Sequence, residues 1–282
     1  MPPSDQDAAD PEPSGPLRYV GIGASAGGLE AIGTFFANMR PDSGLTFVVV
    51  QHLSPDHKSL MPELLSKRTS MPVVSAEDGV QVRPDSIYLI PPRKNLSILQ
   101  GSLVLSDPEP SSIPNLPIDV FLRSLAQDQG PLAVGVILSG TGSDGLRGVR
   151  AVKEAGGMVM VQSPESAKFD GMPRAALSTG LVDFVVAPQD MPEQLLSYLE
   201  SPGLAADPSR FDNEDAEDDL TRILVRLRDR CHFDFTFYKM NTVLRRIERR
   251  IGAISAHYRR FGCGRRDALG LGTSSSLPCI EN

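Results

Sequence analysis

The chain has 282 residues, a formal net charge of −7 and a hydrophobic fraction of 40%. This length allows one large domain or two smaller ones with a buried core, and the acidic balance argues against a whole-chain nucleic-acid binder, because phosphate binding needs concentrated positive charge. Its three cysteines lie late and lack C-x-x-C spacing, so we expect no disulfide framework, no metal site and a reducing, cytoplasmic setting; they are Cys231, Cys263 and Cys279.

The first 16 residues are acidic and rich in proline, and they contain no apolar segment of the kind found in signal peptides. We expect this N-terminal segment to be disordered. No later apolar run reaches the roughly 18 residues that a membrane-spanning helix needs. Neither secretion nor membrane insertion is therefore expected.

From residue 17 to residue 200, short apolar runs alternate with amphipathic segments. This alternation predicts an α/β fold with a doubly wound, mostly parallel sheet and helices on both faces. The predicted strands are Tyr19–Ile22, Leu45–Val50, Ser86–Ile90, Ala133–Leu138, Met158–Val161 and Val182–Val186. The predicted helices begin near Gly28, Ser59, Pro117, Gly145, Pro173 and Met191. A β-hairpin appended to the sheet is predicted for Asn95–Leu99 and Ser102–Leu105, around Gln100-Gly101.

The composition changes after residue 200. Residues 201–218 are rich in Pro, Asp and Glu, which predicts an acidic, solvated linker. Apolar residues recur at helical spacing in residues 219–251 and predict a short helical segment. Four arginines form a basic stripe on one face of this segment: Arg245, Arg246, Arg249 and Arg250. The stripe has two equally weighted interpretations, docking on an acidic helix and simple solvation. Residues 252–282 lose the periodicity and predict an irregular tail.

The sequence GIGASAGG at residues 21–28 fits two motifs. Read from Gly21 it is the G-x-G-x-x-A of a dinucleotide-binding loop, and read from Gly23 it is a G-x-S-x-G turn with Ser25 as nucleophile. Dinucleotide binding requires an acidic residue at the end of the next strand, where it holds the ribose hydroxyls. That strand ends in Gln51-His52, which weakens the cofactor interpretation.

A second glycine loop, Gly140-Thr141-Gly142-Ser143-Asp144-Gly145, is literally G-x-G-x-x-G. The strand after it ends in Gln162-Ser163, so the required acidic residue is missing here too. We therefore expect no cofactor. A nucleotide-binding α/β protein stays a less favoured alternative.

Ser25, His52 and Asp144 each follow a predicted strand, and the carboxyl ends of parallel strands meet at one sheet edge. A serine nucleophile needs an imidazole to accept its proton, and the imidazole needs a carboxylate to orient it. Each residue also has a structural interpretation: Ser25 in a tight turn, His52 bonded to a carbonyl, and Asp144 capping the helix after it. Their joint placement favours a Ser-His-Asp triad.

Several ordered motifs together resemble the CheB-type protein-glutamate methylesterase domain over about residues 17–200. They are Gly21–Gly28, Gln51-His52-Leu53-Ser54-Pro55, Glu77-Asp78-Gly79, Tyr88-Leu89-Ile90-Pro91-Pro92, Leu138–Gly145 and Phe169-Asp170-Gly171-Met172-Pro173-Arg174. The resemblance implies hydrolysis of glutamyl methyl esters on the cytoplasmic helices of chemoreceptors, with deamidation of certain receptor glutamines as a second activity. It implies Ser25 as nucleophile, His52 as base and Asp144 as its partner. An adaptor that binds the receptor without turnover is the alternative function.

The backbone N–H groups of Ala26 and Thr141 are the predicted oxyanion contacts, because they flank the two loops that meet at the site. The family often has Thr at the first position and Met at the second. We expect this departure to alter rate or specificity and to leave the reaction in place. Arg174 is predicted to be either a contact for acidic substrate flanks or a solvated charge.

Residues 219–251 are similar to the start of a CheR-type receptor methyltransferase. This second resemblance stops before any S-adenosylmethionine-binding domain, so methyltransferase activity is not expected. Many CheB-type proteins also carry a receiver domain before the esterase, whereas about 16 residues precede it here. Control by phosphorylation within this chain is therefore not expected.

Overall fold

The computed structural model describes residues 18–51, 61–108 and 114–200. Within these ranges the strands are β1 (Arg18–Ala24), β2 (Leu45–Gln51), β3 (Val73–Ser75), β4 (Ser86–Leu89), β5 (Asn95–Leu99), β6 (Ser102–Ser106), β7 (Val134–Ile137), β8 (Met158–Gln162) and β9 (Phe184–Val186). Seven of them form a parallel sheet in the order β3-β4-β2-β1-β7-β8-β9, and β5 and β6 form a separate antiparallel hairpin. The predicted α/β fold with an appended hairpin is confirmed.

Six helices are described: α1 (Gly28–Ala37), α2 (Met61–Ser66), α3 (Pro117–Gln129), α4 (Leu146–Glu154), α5 (Gly171–Leu177) and α6 (Met191–Leu199). None of these helices is long and apolar enough to cross a bilayer, a finding that applies to the described ranges. The predicted helix starts near Gly145 and Pro173 lie within one and two residues of the observed starts at Leu146 and Gly171. Gly145 instead precedes α4 with a φ of 94°, and Pro173 lies in the first turn of α5, where its missing N–H costs nothing.

Strand β3 was missed by the sequence analysis. It has three residues at the edge of the sheet, and two of them are exposed. A strand of only three residues is too short to give the apolar run on which strand prediction depends. The acidic linker, the helical segment and the tail predicted after residue 200 lie outside the described residues, as does the N-terminal segment.

The sheet is covered on both faces by separate apolar cores. One core packs α1, α2 and α6 against the sheet, with Phe35, Phe36 and Phe47 in edge-to-face contact at its centre. The other packs α3, α4, α5 and the hairpin against the opposite face. Because both faces are buried, the central strands are almost entirely apolar.

Strand β1 lies at the point where the strand order reverses. On one side of β1 the sheet order is β2, β4 and β3, and the chain then returns to place β7 on the other side of β1. In open α/β sheets, ligands bind outside the carboxyl ends of the strands at such a point, because the connections leave in opposite directions there. Ser25 follows β1 and the loop with Asp144 follows β7, so both lie at this edge.

Candidate active site

Ser25 lies in a tight turn between β1 and α1. Its N–H donates to the carbonyl of Ser139 at 3.0 Å, and its own carbonyl accepts from Gly28 N–H at 2.9 Å. Gly27 has a φ of 72°, a left-handed conformation that glycine adopts without steric cost, and α1 begins directly after it. The turn therefore holds Ser25, which is half-buried, at the positive end of a helix dipole.

The second glycine loop packs against Ser25. A Cβ added to Gly140 would lie 2.9 Å from Ser25 Cβ and 2.2 Å from Met172 Sδ, so only glycine fits between them. Thr141 follows Gly140 directly and is exposed. The loop therefore brings its backbone close to the side chain of Ser25.

Ser139 connects the turn that contains Ser25 to the loop that contains Phe169. Its side chain is buried, and its Oγ lies 2.9 Å from the carbonyl oxygen of Ala26. The same hydroxyl accepts from Phe169 N–H at 3.0 Å and lies 3.3 Å from the Phe169 carbonyl oxygen. Gln162, at the end of β8, accepts from Ser139 N–H at 2.8 Å. One hydroxyl thus ties together the segments at residues 26, 139 and 169.

Asp144 anchors the start of a helix from another part of the chain. Its carboxylate is buried and accepts hydrogen bonds from the N–H groups of Ile118 at 3.0 Å and Asp119 at 2.9 Å. These are N–H groups of the first turn of α3, which have no partner within the helix. Asp144 also accepts from Gly145 N–H at 2.8 Å. It therefore caps α3, and the helix that follows it in sequence, α4, has no side-chain cap.

A second buried carboxylate, Asp119, lies next to Asp144. It accepts from Gly148 N–H at 2.7 Å and so links the start of α3 to α4. Burial raises the pKa of Asp119, and the nearby charge of Asp144 raises it further. The carboxylates of Asp119 and Asp144 thus both lie near the start of α3.

Comparison with protein families matches residues 20–195 to the CheB methylesterase family model. The chain belongs to the CheB methylesterase family. A second model, the all-α domain of CheR methyltransferases, matches residues 218–259. The matched CheB region contains Ser25, His52 and Asp144.

Known proteins support the same assignment. The protein-glutamate methylesterase/protein-glutamine glutaminase of Pectobacterium atrosepticum is 34% identical over 64% of this chain and 53% of its own length. An uncharacterised 104.1 kDa protein of Rhodobacter capsulatus is 39% identical over 68% of this chain and 22% of its own length. The chain thus spans about half the length of the methylesterase relatives it matches. The crystal structure of the Thermotoga maritima CheB methylesterase catalytic domain aligns with a TM-score of 0.59 and 29% identity, over 64% of this chain and 98% of that one.

The structure places some predicted site residues of this CheB domain and leaves one undescribed. Ser25 and Asp144 lie at the carboxyl ends of the adjacent strands β1 and β7, and Ala26 and Thr141 lie in the two loops beside Ser25. His52 falls in residues 52–60, outside the described ranges. Gln51, which precedes it, pairs with Ala24, and its Nε2 donates to the Ser25 carbonyl at 3.4 Å.

Two polar residues that support the CheB site were not singled out from the sequence. Ser139 follows β7 and Gln162 ends β8, so both lie at the same sheet edge as Ser25. The signal was present, because each is a polar residue at the end of a run of buried apolar residues. That signal was applied to Ser25, His52 and Asp144 alone.

The first two glycines of the dinucleotide-like motif have a packing role. Gly21 and Gly23 lie inside β1 and face α3, where a Cβ on Gly23 would be 2.4 Å from Ile118 Cγ2. A dinucleotide-binding loop instead needs its first glycines in the turn, close to the pyrophosphate. In the described ranges, no cluster of three or more His, Cys, Asp or Glu has a metal-binding arrangement.

Proposed function

We propose that the chain is a serine hydrolase that removes methyl esters from glutamate side chains on the cytoplasmic helices of chemoreceptors. Hydrolysis of receptor glutamine amides would be its second reaction, in line with the double name of the Pectobacterium relative. The observation that carries the proposal is the nucleophile turn, in which Ser25 stands at the start of α1 beside the loop at Gly140.

In the proposed mechanism, Ser25 Oγ attacks the carbonyl carbon of the glutamyl methyl ester while His52 accepts the hydroxyl proton. The tetrahedral intermediate collapses, the C–O bond to methanol breaks, and His52 returns the proton to the leaving methoxide oxygen. A water molecule, deprotonated by His52, then attacks the acyl-enzyme. The bond between the acyl carbon and Ser25 Oγ breaks, His52 returns the proton to that oxygen, and glutamate is released.

Asp144 is proposed to orient His52 and to stabilise its charged form. Its carboxylate is buried and is held by backbone N–H groups from α3 and from Gly145. These bonds fix the carboxylate against rotation, as a residue that orients an imidazole requires. A carboxylate that moved would orient His52 less well, because small displacements of catalytic groups lower the rate.

The oxyanion is proposed to form at the backbone N–H groups of Ala26 and Thr141. Ala26 N–H lies in the turn before α1, and Thr141 N–H follows Gly140, which packs against Ser25. Because backbone donors do not depend on the side chain attached, Ala at 26 and Thr at 141 preserve them. The hydroxyl lost at one position and gained at the other is expected to change rate or specificity.

The direct test is methanol release from methylated receptor membranes by the wild type and Ser25→Ala in parallel. Loss of the nucleophile is expected to lower kcat by at least about 10⁴-fold while the unfolding midpoint stays the same. Ser178→Ala is the matched control, because Ser178 is exposed and donates to Ala175 O in its own helix end. Methanol release retained by Ser25→Ala would contradict the proposal, and receptor binding without any turnover by the wild type would favour an adaptor.

A further inference from the structure

An aromatic ring is held in a fixed and exposed position at the nucleophile turn. The backbone of Phe169 is fixed from both sides, because its N–H donates to Ser139 Oγ and its carbonyl accepts from Gly140 N–H at 2.9 Å. Phe169 as a residue is nevertheless 40% exposed. An aromatic side chain whose backbone is tied down and whose ring faces solvent provides a rigid contact surface at small entropic cost.

The ring lies against the turn that carries Ser25. A Cβ added to Gly27 would be 3.1 Å from Phe169 Cδ2, which places the ring two residues from the nucleophile. Leu29, in the first turn of α1, is 38% exposed. Phe169 and Leu29 are thus two exposed apolar residues on segments that adjoin the Ser25 turn.

A cation accompanies this apolar surface. Lys168 is exposed, and a Cβ on Gly27 would lie 3.0 Å from Lys168 Cβ. Arg174, the neighbouring cation, is paired with Asp170 at 2.6 Å, and that pairing raises the pKa of Arg174. Lys168 forms no ion pair within the described part of the chain. Lys168 thus carries a positive charge on the segment that packs against Gly27.

We propose that Phe169, Leu29 and Lys168 form the docking face for the substrate helix and select esters that lie on a helix with a free carboxylate one turn away. This inference rests on the proposed function. On a helix, residues three and four apart share one face, so an ester at Ser25 would carry its neighbours across this surface. Apolar neighbours would cover Phe169 and Leu29, and an unesterified glutamate would pair with Lys168.

The test compares kcat/KM for two substrates on the full chain. One is a helical peptide with a γ-methyl glutamate, a leucine three residues before it and a glutamate four residues after it. The other is the small ester N-acetyl-γ-methyl-glutamate amide. Phe169→Ala is expected to lower the ratio of helical to small-ester kcat/KM about tenfold, because the ring loses its apolar contact. Phe169→Leu is expected to restore most of the ratio.

Lys168→Gln is expected to lower the same ratio about threefold and to flatten its dependence on salt concentration, because exposed pairs are weak and screened. Leu181→Ala and Arg83→Gln are the matched controls. Both residues are exposed and precede strands β9 and β4, so they lie at the amino ends of the strands, whereas Ser25 follows the carboxyl end of β1. Neither substitution should alter the ratio of helical to small-ester kcat/KM.

If Phe169→Ala leaves the ratio of helical to small-ester kcat/KM unchanged, the proposed docking face is contradicted. An equal loss with both substrates would also contradict it, because that result indicates a structural effect on the nucleophile turn. Failure of the wild type to hydrolyse either ester would instead contradict the proposed function, so the two failures are distinguishable.

Discussion

Ser139 shows how a single residue can position several segments of the candidate site in this CheB domain. Its hydroxyl is buried and holds the backbone of residues 26 and 169 around the nucleophile turn, while its carbonyl holds Ser25 N–H. Ser139 is not expected to touch the substrate. Its effect on the reaction should therefore come through the position of Ser25.

Ser139→Ala should lower kcat by between about 10- and 100-fold with little change in KM, because small displacements of a nucleophile are costly. It should also cost roughly 1–3 kcal/mol of stability, since Phe169 N–H loses its acceptor. Steady-state kinetics and chemical unfolding measure the two effects. A loss of stability with an unchanged kcat would reduce Ser139 to a purely structural residue.

The sequence predicted Ser25 and Asp144 at one sheet edge because each follows an apolar strand. It did not predict what holds them. Asp144 binds the start of α3, which lies 25 and 26 residues earlier in the chain, and no local pattern encodes a cap between such distant segments. The sequence analysis assigned no role to Ser139 or Phe169, since serine after a strand and phenylalanine in a loop are common in purely structural positions.

At the scale of elements, the packing of α3 on β1 explains the glycines that first suggested a cofactor. A Cβ at Gly21 would lie 2.8 Å from Leu122 and 2.9 Å from Phe121, and one at Gly23 would meet Ile118. The helix approaches the strand so closely because β1 has glycine at two successive positions of that face. This approach also places the first turn of α3 within reach of Asp144.

Gly23→Ala should destabilise the protein by about 1–3 kcal/mol, because the new methyl overlaps Ile118. Adding Ile118→Ala should recover part of that loss, so the double-mutant cycle is expected to be non-additive. Gly33→Ala is the matched control: its nearest neighbour is Arg68 Cγ at 4.0 Å, and alanine there should stabilise α1 by roughly 0.5–1 kcal/mol. Equal effects of the two substitutions would contradict the packing account.

The long buried strands and the hairpin were predictable from the sequence, because their apolar runs and the Gln100-Gly101 turn are local signals. Strand β3 was not, since its residues form a strand only by pairing with β4 at the sheet edge. The predicted starts of α4 and α5 differed from the observed ones by one and two residues, because Gly145 precedes α4 and Pro173 lies inside the first turn of α5.

At the scale of the whole molecule, the sheet and both apolar cores lie within residues 18–200. The reversal of strand order between β1 and β7 brings the nucleophile turn and the Asp144 loop to neighbouring strand ends. Strand order depends on long-range pairing, so the doubly wound class was predictable while the order itself was not. The described contacts around Ser25 and Asp144 join residues of the CheB domain.

A fragment of residues 17–200 should therefore fold by itself and hydrolyse a small γ-methyl glutamate ester with a kcat within about twofold of the full chain. The physical reason is that a domain with its own complete core is stable alone. Circular dichroism and the small-ester assay measure this. A fragment that is unfolded, or folded without turnover, would show that the remaining residues complete the site.

The central claim is that Ser25 is acylated during turnover. Rapid quenching of the reaction with a p-nitrophenyl ester, followed by mass spectrometry of the proteolysed chain, tests this most directly. The account predicts one acyl group on the peptide that contains Ser25 in the wild type and none in Ser25→Ala. An unlabelled Ser25 peptide during active turnover, or an acyl group on another residue that persists in Ser25→Ala, would contradict it.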